Sequence, residues 1–330
     1  MRVTLAKGRI DREAESTFAR ALSRKPPYYF FSWISHDLEP ACRDKGWEVD
    51  ILSIGNPTPQ RVRVPDVLVN LITEPLVCRR ALDRLESIVR THAIPIVNEV
   101  EAVRRSARTA LPGVIRNGNA AGVQVPLTTR FTGGPGALAS HIEASGHRWP
   151  VLLRPAGTHS SKGLTKIDSA SRLGEMRAIP SDLLVSDFAD FRSGDGLYRK
   201  YRMIWADGAI FRRHVIAGLE WNVTGSARSH MVTQPETVDA EKDFMASADD
   251  PLDARVAELF RIVGLDFGVI DFAVSDSGEI TVFELNGTFQ ISGSIPEKYR
   301  ERWGYLEANN RAIVDALIGC IARRVVNRGM

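Results

Sequence analysis

Apolar and polar positions along the first hundred residues follow two rhythms. YYFFSWI (28–34), WEVDILSI (47–54), VPDVLVNLI (64–72) and IPIVN (94–98) are short apolar runs that predict strands. The segment around 38–42 and LVCRRALDRLESIVRTH (76–92) place apolar residues at helical spacing. This alternation predicts a parallel α/β layer. Ahead of it, AESTFARALSRK (14–25) predicts one amphipathic helix that stops at Pro26-Pro27.

After residue 130 the pattern changes. A Gly/Pro loop and a short helix lead to a strand at 151–154 and a polar loop. A helix at about 169–177 and a strand LLVSDF (183–188) follow. YRKYRMIWADGAIFRRHVI (198–216) reads as a long antiparallel hairpin, because Asp207-Gly208 is a strong two-residue turn signal. A helix at 251–263 is marked by Asp250 as N-cap, Pro251 at its first position and Gly264 past its end. GVIDFAVSDSGEITVFELNG (268–287) predicts a second hairpin, and 305–326 a C-terminal helix.

The second hairpin carries the strongest chemical signal. A two-residue turn at Ser277-Gly278 sets Asp271 opposite Glu284, Ala273 opposite Val282, and Asn286 opposite Val269 on the same face. Opposed like charges repel unless a cation or proton lies between them, and a small all-oxygen cluster suits Mg²⁺. A change of one residue in the loop would put the two carboxylates on opposite faces. In the first hairpin a two-residue turn sets Arg202 opposite Arg213 and Lys200 opposite Val215, so Lys200, Arg202 and Arg213 share a face. A polyphosphate suits such a face; long basic side chains on a wet sheet surface read the same stretch equally well. PVLLRPAGTHSSKG ends a strand on Arg154 and continues into a loop of small hydroxyl residues between Gly157 and Gly163. Its backbone N–H groups and the Ser160 and Ser161 hydroxyls suit phosphates, and a plain surface loop is the other reading. It is not a P-loop, since Lys162 precedes Gly163 and no Ser or Thr follows.

Composition narrows the classes. A chain of 330 residues predicts two or three domains, and 44% hydrophobic with 25% charged residues excludes disorder and rod-like repeats. Lys and Arg number 43 against 40 Asp and Glu, a balance that predicts no nucleic-acid partner. No apolar run is long enough for a membrane span, and the charged N-terminus is no secretory signal, so no membrane partner is expected. Cys42, Cys78 and Cys320 lie far apart without metal spacing, which fits a reduced, cytoplasmic setting. HExxH, GxSxG and a GxGxxG after a strand are all absent. His36, His92, His141, His147 and His230 receive no role; His159 and His214 stand out only by their neighbourhood.

The order of a basic residue ending a strand, a Gly/Ser loop, a second strand, a basic hairpin and then Asp-x12-Glu-x-Asn resembles the ATP-grasp superfamily. The likeness covers about 94–320 and is strongest to bacterial glutathione-synthetase-type proteins, including some with tetratricopeptide repeats. The helix at 14–25 resembles the last helix of such a repeat, but one helix makes no array. The resemblance implies an ATP-grasp fold, α/β and α+β, in which two α+β subdomains clamp ATP behind a small parallel α/β domain. Implied bounds are an N-terminal extension at 1–25, the small domain at 26–104, the subdomain with the phosphate loop at 105–190 and the subdomain with the metal site at 191–330. It implies Asp271, Glu284 and Asn286 as ligands of two Mg²⁺ ions, with Mn²⁺ as a substitute. Arg108, Arg154, Ser160, Ser161, Gly163, Asp187, Asp190 and Lys200 are implied to hold ATP. Arg154 stands where Lys is usual.

Arg154, Arg202 and Arg213 are expected to stabilise transferring oxygens. Asn222, Gly287, Ser292, Gly293 and Ser294 are expected on the substrate side. Val269 stands where D-alanine–D-alanine ligases commonly carry an Arg, which argues against that subfamily. The activity implied is a ligase that activates a carboxylate as acyl phosphate for attack by an amine or thiol. Its partners would be a small acid, amino acid or peptide and an amine acceptor, in a chain that resembles enzymes often found as dimers. A kinase acting on a hydroxyl and a non-catalytic nucleotide-binding module are the alternatives.

Overall fold

The computed structural model describes residues 1–12, 14, 29–55, 63–159, 161–176, 179–247, 251–291, 295, 297 and 300–326. The helix expected at 14–25 and the Asp250 cap lie outside the described residues, apart from Ala14.

The first sheet contains β1 (Arg2–Arg9), β2 (Tyr29–Phe30), β3 (Glu48–Ile54), β4 (Val67–Asn70) and β5 (Ile96–Val97). β1 pairs in parallel with both β3 and β4, and β4 with β5, so the parallel α/β layer is present. The sequence reading sets 1–25 apart as an extension, yet β1 is a central strand of this sheet. A parallel strand covered on both faces normally reads as a continuous apolar run. Here Thr4 and Lys7 interrupt that run, and the parallel partners of β1 lie more than forty residues away in sequence. Of the strand expected at 28–34, only β2 forms, as an antiparallel pair with the end of β1. The helices Ser35–Asp44 and Arg79–His92 stand where expected.

The second sheet has the order β7 (Thr128–Thr132), β10 (Asp182–Asp187), β8 (Val151–Pro155), β9 (Thr165–Ile167). Phe131, Leu138, Ile142, Leu153, Leu183 and Val185 form its own buried core. The third sheet has the order β12 (Ala209–Gly218), β11 (Tyr198–Ala206), β13 (Phe267–Val274), β14 (Ile280–Asn286), β6 (Val123–Gln124). Helix Pro251–Val263 ends where Gly264 turns out with φ +86°. The C-terminal helix runs Asn310–Val326, preceded by a 3-10 turn at Gly304–Glu307. It shares a core with the first sheet: Val3, Leu5 and Leu38 pack with Ile204, Phe267, Ile313 and Leu317.

Both hairpins of the third sheet depart from their expected registers. In β11–β12 the turn is Asp207-Gly208 as expected, both with positive φ. One extra residue then enters β12 at Arg213, so Arg202 faces His214 rather than Arg213, and Lys200 faces Ile216 rather than Val215. In β13–β14 the turn spans Asp276–Gly278, closed by Ser275 N to Glu279 O at 2.9 Å, with Gly278 at φ +81°. Phe272 therefore faces Val282, and Ala273 faces Thr281 rather than Val282. An extra residue in β14, Phe283, then restores the pairing of Asp271 with Glu284 and of Val269 with Asn286. β-Bulges of this kind re-aim side chains and are set by packing on both faces of the sheet, which no turn signal announces.

The interface of the first sheet with the third brings new side chains to the end of β14. Ser32 Oγ donates to Gly287 O at 2.9 Å, and Asn98 Oδ1 accepts from Asp266 N at 2.8 Å and Phe267 N at 3.2 Å. Thr73 and Thr288 touch through their hydroxyls.

Candidate active site

A cavity of about 1280 Å³ opens between the second and third sheets. β8 lines it with Leu152 and Arg154, β10 with Leu184, Ser186 and Asp187, and β11 with Lys200, Arg202 and Ile204. His214 and Ile216 of β12, Val269 and Asp271 of β13, and Val282 and Glu284 of β14 complete that wall. In β8 and β11 these are alternate residues, as the pleat requires. The pairings His214 with Arg202, Arg202 with Asp271, and Asp271 with Glu284 make one row straight across four strands. Directly opposed residues have Cα atoms roughly 4.5–5.5 Å apart.

The row is charged and self-neutralised. Arg202 Nε donates to Asp271 Oδ1 at 2.6 Å and Nη2 to Oδ2 at 2.8 Å, while Lys200 Nζ lies 3.6 Å from Oδ2. Burial pushes the Asp271 carboxyl up, but Arg202 and Lys200 outweigh it and hold it below the usual carboxylate range. Arg108 Nη2 lies 2.6 Å from Glu284 Oε2, and His159 Nδ1 lies 3.3 Å from Oε1. Burial again opposes ionisation, yet Arg108, His159 and Arg154 hold Glu284 well below its ordinary value. His159 Nε2 reaches Glu74 Oε1 at 2.9 Å. Burial alone would lower His159; Glu74 and Glu284 raise it to about 9. Burial and the neighbouring Arg108 lower Arg154 to about 10.

Arg108, Arg154, Lys200 and Arg202 thus face Glu74, Asp271 and Glu284, with His159 between two of the carboxylates. Arg108 Nη2 and His159 Nε2 are fully buried, yet neither ion pair is aligned as a hydrogen bond. Cations so placed outnumber the carboxylates and favour an anionic guest. The oxygens of Asp271, Glu284 and Asn286 form a hard, all-oxygen donor set on one face, which fits Mg²⁺. Asn286 already donates to Glu284, and its Oδ1 accepts from Thr288 N at 2.7 Å.

The phosphate-loop segment is built on its own bonds. Thr158 Oγ1 donates to Pro155 O at 2.8 Å and to Lys162 O at 3.2 Å, and Arg154 Nη1 reaches Thr158 O at 3.4 Å. Ser161 lines the cavity with φ +57°. At Gly163, with φ +69°, a Cβ would stand 3.0 Å from the Pro155 ring. At the end of β10, Asp187 is held by His147 Nδ1 at 2.7 Å and Arg148 N at 3.3 Å.

Of the expected site residues, the cavity gathers Arg108, Arg154, Ser161, Asp187, Lys200, Arg202, Arg213, Asn222, Asp271 and Glu284. Asp190 is exposed, off the cavity wall, and accepts from Arg192 N at 3.1 Å in a local turn. Gly287 is buried at the interface, where a Cβ would meet Thr73 Cγ2 at 2.8 Å, so close packing rather than substrate contact accounts for it. Arg213 is 4% exposed and ties down the C-terminal segment: its Nη1 donates to Asn310 Oδ1 at 2.7 Å and to Leu306 O, and its Nη2 to Ile291 O at 2.8 Å. Ser160, Ser292, Gly293 and Ser294 lie outside the described residues.

Sequence reasoning missed Glu74, which ends the apolar run VPDVLVNLIT and is 5% exposed. A carboxylate at the end of a buried strand was the available signal. It also gave no role to His159 and His214. Burial first, then Arg202, Arg228, Lys200 and Arg213, keep His214 well below its ordinary pKa and therefore neutral.

The whole chain is similar to solved structures. The ATP-grasp RimK domain protein of Sphaerobacter thermophilus is 16% identical with a TM-score of 0.51, over 96% of this chain and 100% of that one. The D-alanine–D-alanine ligase of Bacillus anthracis is 11% identical with a TM-score of 0.55, over 99% of this chain and 98% of that one. The Coxiella burnetii D-alanine–D-alanine ligase is 13% identical with a TM-score of 0.54, over 100% and 97%. No protein-family model and no curated protein matches the chain. The fold is the ATP-grasp fold. No described helix is long and apolar enough to cross a membrane.

Proposed function

We propose that this protein is an ATP-dependent ligase that activates a substrate carboxylate as its acyl phosphate and transfers the acyl group to an amine. The row from Glu284 through Asp271 and Arg202 to His214 carries this reading. It sets oxygen donors for a metal beside a fixed guanidinium, with further arginines above them, inside a fold shared with solved ligases. Mg²⁺ held by Asp271, Glu284 and the Asn286 amide oxygen would supply charge neutralisation between the β- and γ-phosphates.

The other steps belong to the chain's own residues. Arg108 exchanges Glu284, and Arg154 the Thr158 carbonyl, for phosphate oxygens when nucleotide enters, and the Arg202 donors not committed to Asp271 orient the acid against the γ-phosphate. The 156–163 loop covers the phosphates and keeps water from the acyl phosphate. A carboxylate oxygen attacks the γ-phosphorus and ADP leaves; the amine nitrogen then attacks the acyl carbon, the bond from that carbon to the phosphate oxygen breaks, phosphate leaves, and the surplus proton of the nitrogen passes to solvent.

Incubation with ATP, Mg²⁺ and pools of acids and amines tests this reading. Phosphate release that requires both an acid and an amine is the expected result. A phosphorylated hydroxyl product without phosphate release would make the protein a kinase. Nucleotide binding with neither outcome would make it a binding module.

A further inference from the structure

Past His214, away from Glu284, the cavity changes character. Among the described lining residues the carboxylates are Asp187, at the end of β10, and Asp271 and Glu284, in the row. The far wall instead presents Arg228, with Trp221, Trp303 and Ile295 around it. Arg228 starts the short helix Arg228–Met231. Its Nη1 donates to Glu241 Oε2 and its Nη2 to Glu241 Oε1, both at 2.8 Å, and its guanidinium lies 4.6 Å over the Trp303 ring. Glu241 is fully buried at 0% exposure. Its oxygens also accept from the Tyr305 hydroxyl and from Val215 N at 3.2 Å.

A buried carboxylate is tolerated only when its lone pairs are used, and those of Glu241 are. The consequence is a guanidinium locked in direction. Of its five N–H donors two are committed to Glu241, and the residue still lines the cavity. A fixed fork of donors against apolar and aromatic walls selects a planar anion, and a carboxylate matches it in shape and charge. A structural ion pair alone would not require the residue to line a cavity.

We propose that Arg228, oriented by Glu241, seats a carboxylate at the far end of the substrate, so that the substrate pair includes a compound with two carboxylates. One is activated beside Arg202; the other rests on Arg228. This rests on the ligase reading of the same cavity. Arg202 and Arg228 line the same cavity, Arg202 on β11 and Arg228 on the helix that follows β12, so the length of the compound is read by the series below.

Titration calorimetry on the full chain loaded with Mg²⁺ and AMPPNP tests the seat. The probes are linear α,ω-dicarboxylates from succinate to sebacate, against monocarboxylates of equal length. At the best length the dicarboxylate should bind about tenfold tighter or better than its monocarboxylate. The double variant Arg228→Gln/Glu241→Gln replaces the buried pair by two neutral amides and should erase that advantage while nucleotide still binds. Arg228→Lys keeps the ion pair and should lose most of the preference, because the planar fork is gone. Equal binding of both series by the unaltered protein, or a preference that survives in the double variant, overturns the proposal. Failure of the protein to bind AMPPNP overturns the ligase reading instead, and the same series titrated without nucleotide then judges the Arg228 seat alone.

Discussion

In the hairpin β13–β14 the second strand carries one extra residue, Phe283, between Val282 and Glu284. In β11–β12 the extra residue is Arg213, between Arg212 and His214. The first bulge follows a turn one residue longer than the sequence signal suggests, and the two departures cancel: Asp271 still faces Glu284. The second follows a turn that matches its signal, so nothing cancels it, and His214 takes the place expected of Arg213. The displaced side chains fare differently as well. Phe283 packs against Phe191 with ring centroids 4.8 Å apart and the planes tilted by 57°, while Arg213 donates to Leu306 O, Ile291 O and Asn310 Oδ1. A local turn signal therefore fixes which face of a strand is used only up to the first bulge, and packing decides the rest.

The sharpest test of this contrast exchanges the β14 end of the row. Glu284→Gln should cut turnover by roughly 100-fold or more while the fold persists, since the amide keeps the shape and loses the charge that a metal needs. Turnover near the unaltered level with metal still bound would remove Glu284 from the site. Next in size is Arg202→Ala. It leaves Asp271 buried and held only by Lys200 at 3.6 Å, and should cost about 3–5 kcal/mol in chemical denaturation besides abolishing activity.

Arg213→Ala separates the two hairpins more finely. Its donors hold the C-terminal segment through Leu306 O, Ile291 O and Asn310 Oδ1, so it should lose about 2–4 kcal/mol of stability. MgATP affinity, measured on the folded fraction, should change less than it does in Arg202→Ala.

A pH series tests His214. Its pKa is depressed in the folded protein, so below the unfolded value near 6.5 the unfolded chain binds the extra proton. The stability it contributes is complete above about pH 6.5 and falls as the medium is made more acidic. His214→Asn should flatten that part of the stability profile, as read by urea midpoints. An unchanged slope would mean that His214 is not held among the cations. The smallest effect belongs to Asp190→Asn in the turn after β10. Exposed and outside the cavity, it should change ATP affinity by less than about 0.5 kcal/mol.

The sequence by itself determined the elements whose causes are local. Asp207-Gly208 marks one turn, alternation marks the hairpin strands, and Asp271 with Glu284 declares an oxygen-rich face because charged residues interrupt apolar runs. The spacing of helices and strands between residues 35 and 97 sufficed for a parallel layer, since each element carries its own periodicity. Tertiary structure alone decided what depends on partners remote in the chain. β1 is central because β3 and β4 flank it, not because RVTLAKGR announces a buried strand. Glu74 enters the site because the first sheet docks on the third, and Arg228 is aimed because Glu241 is buried beneath it. The physical reason is one of range: turn geometry and periodicity act over a few residues. The cost of burying a charge is settled by whichever side chains the completed fold brings alongside it.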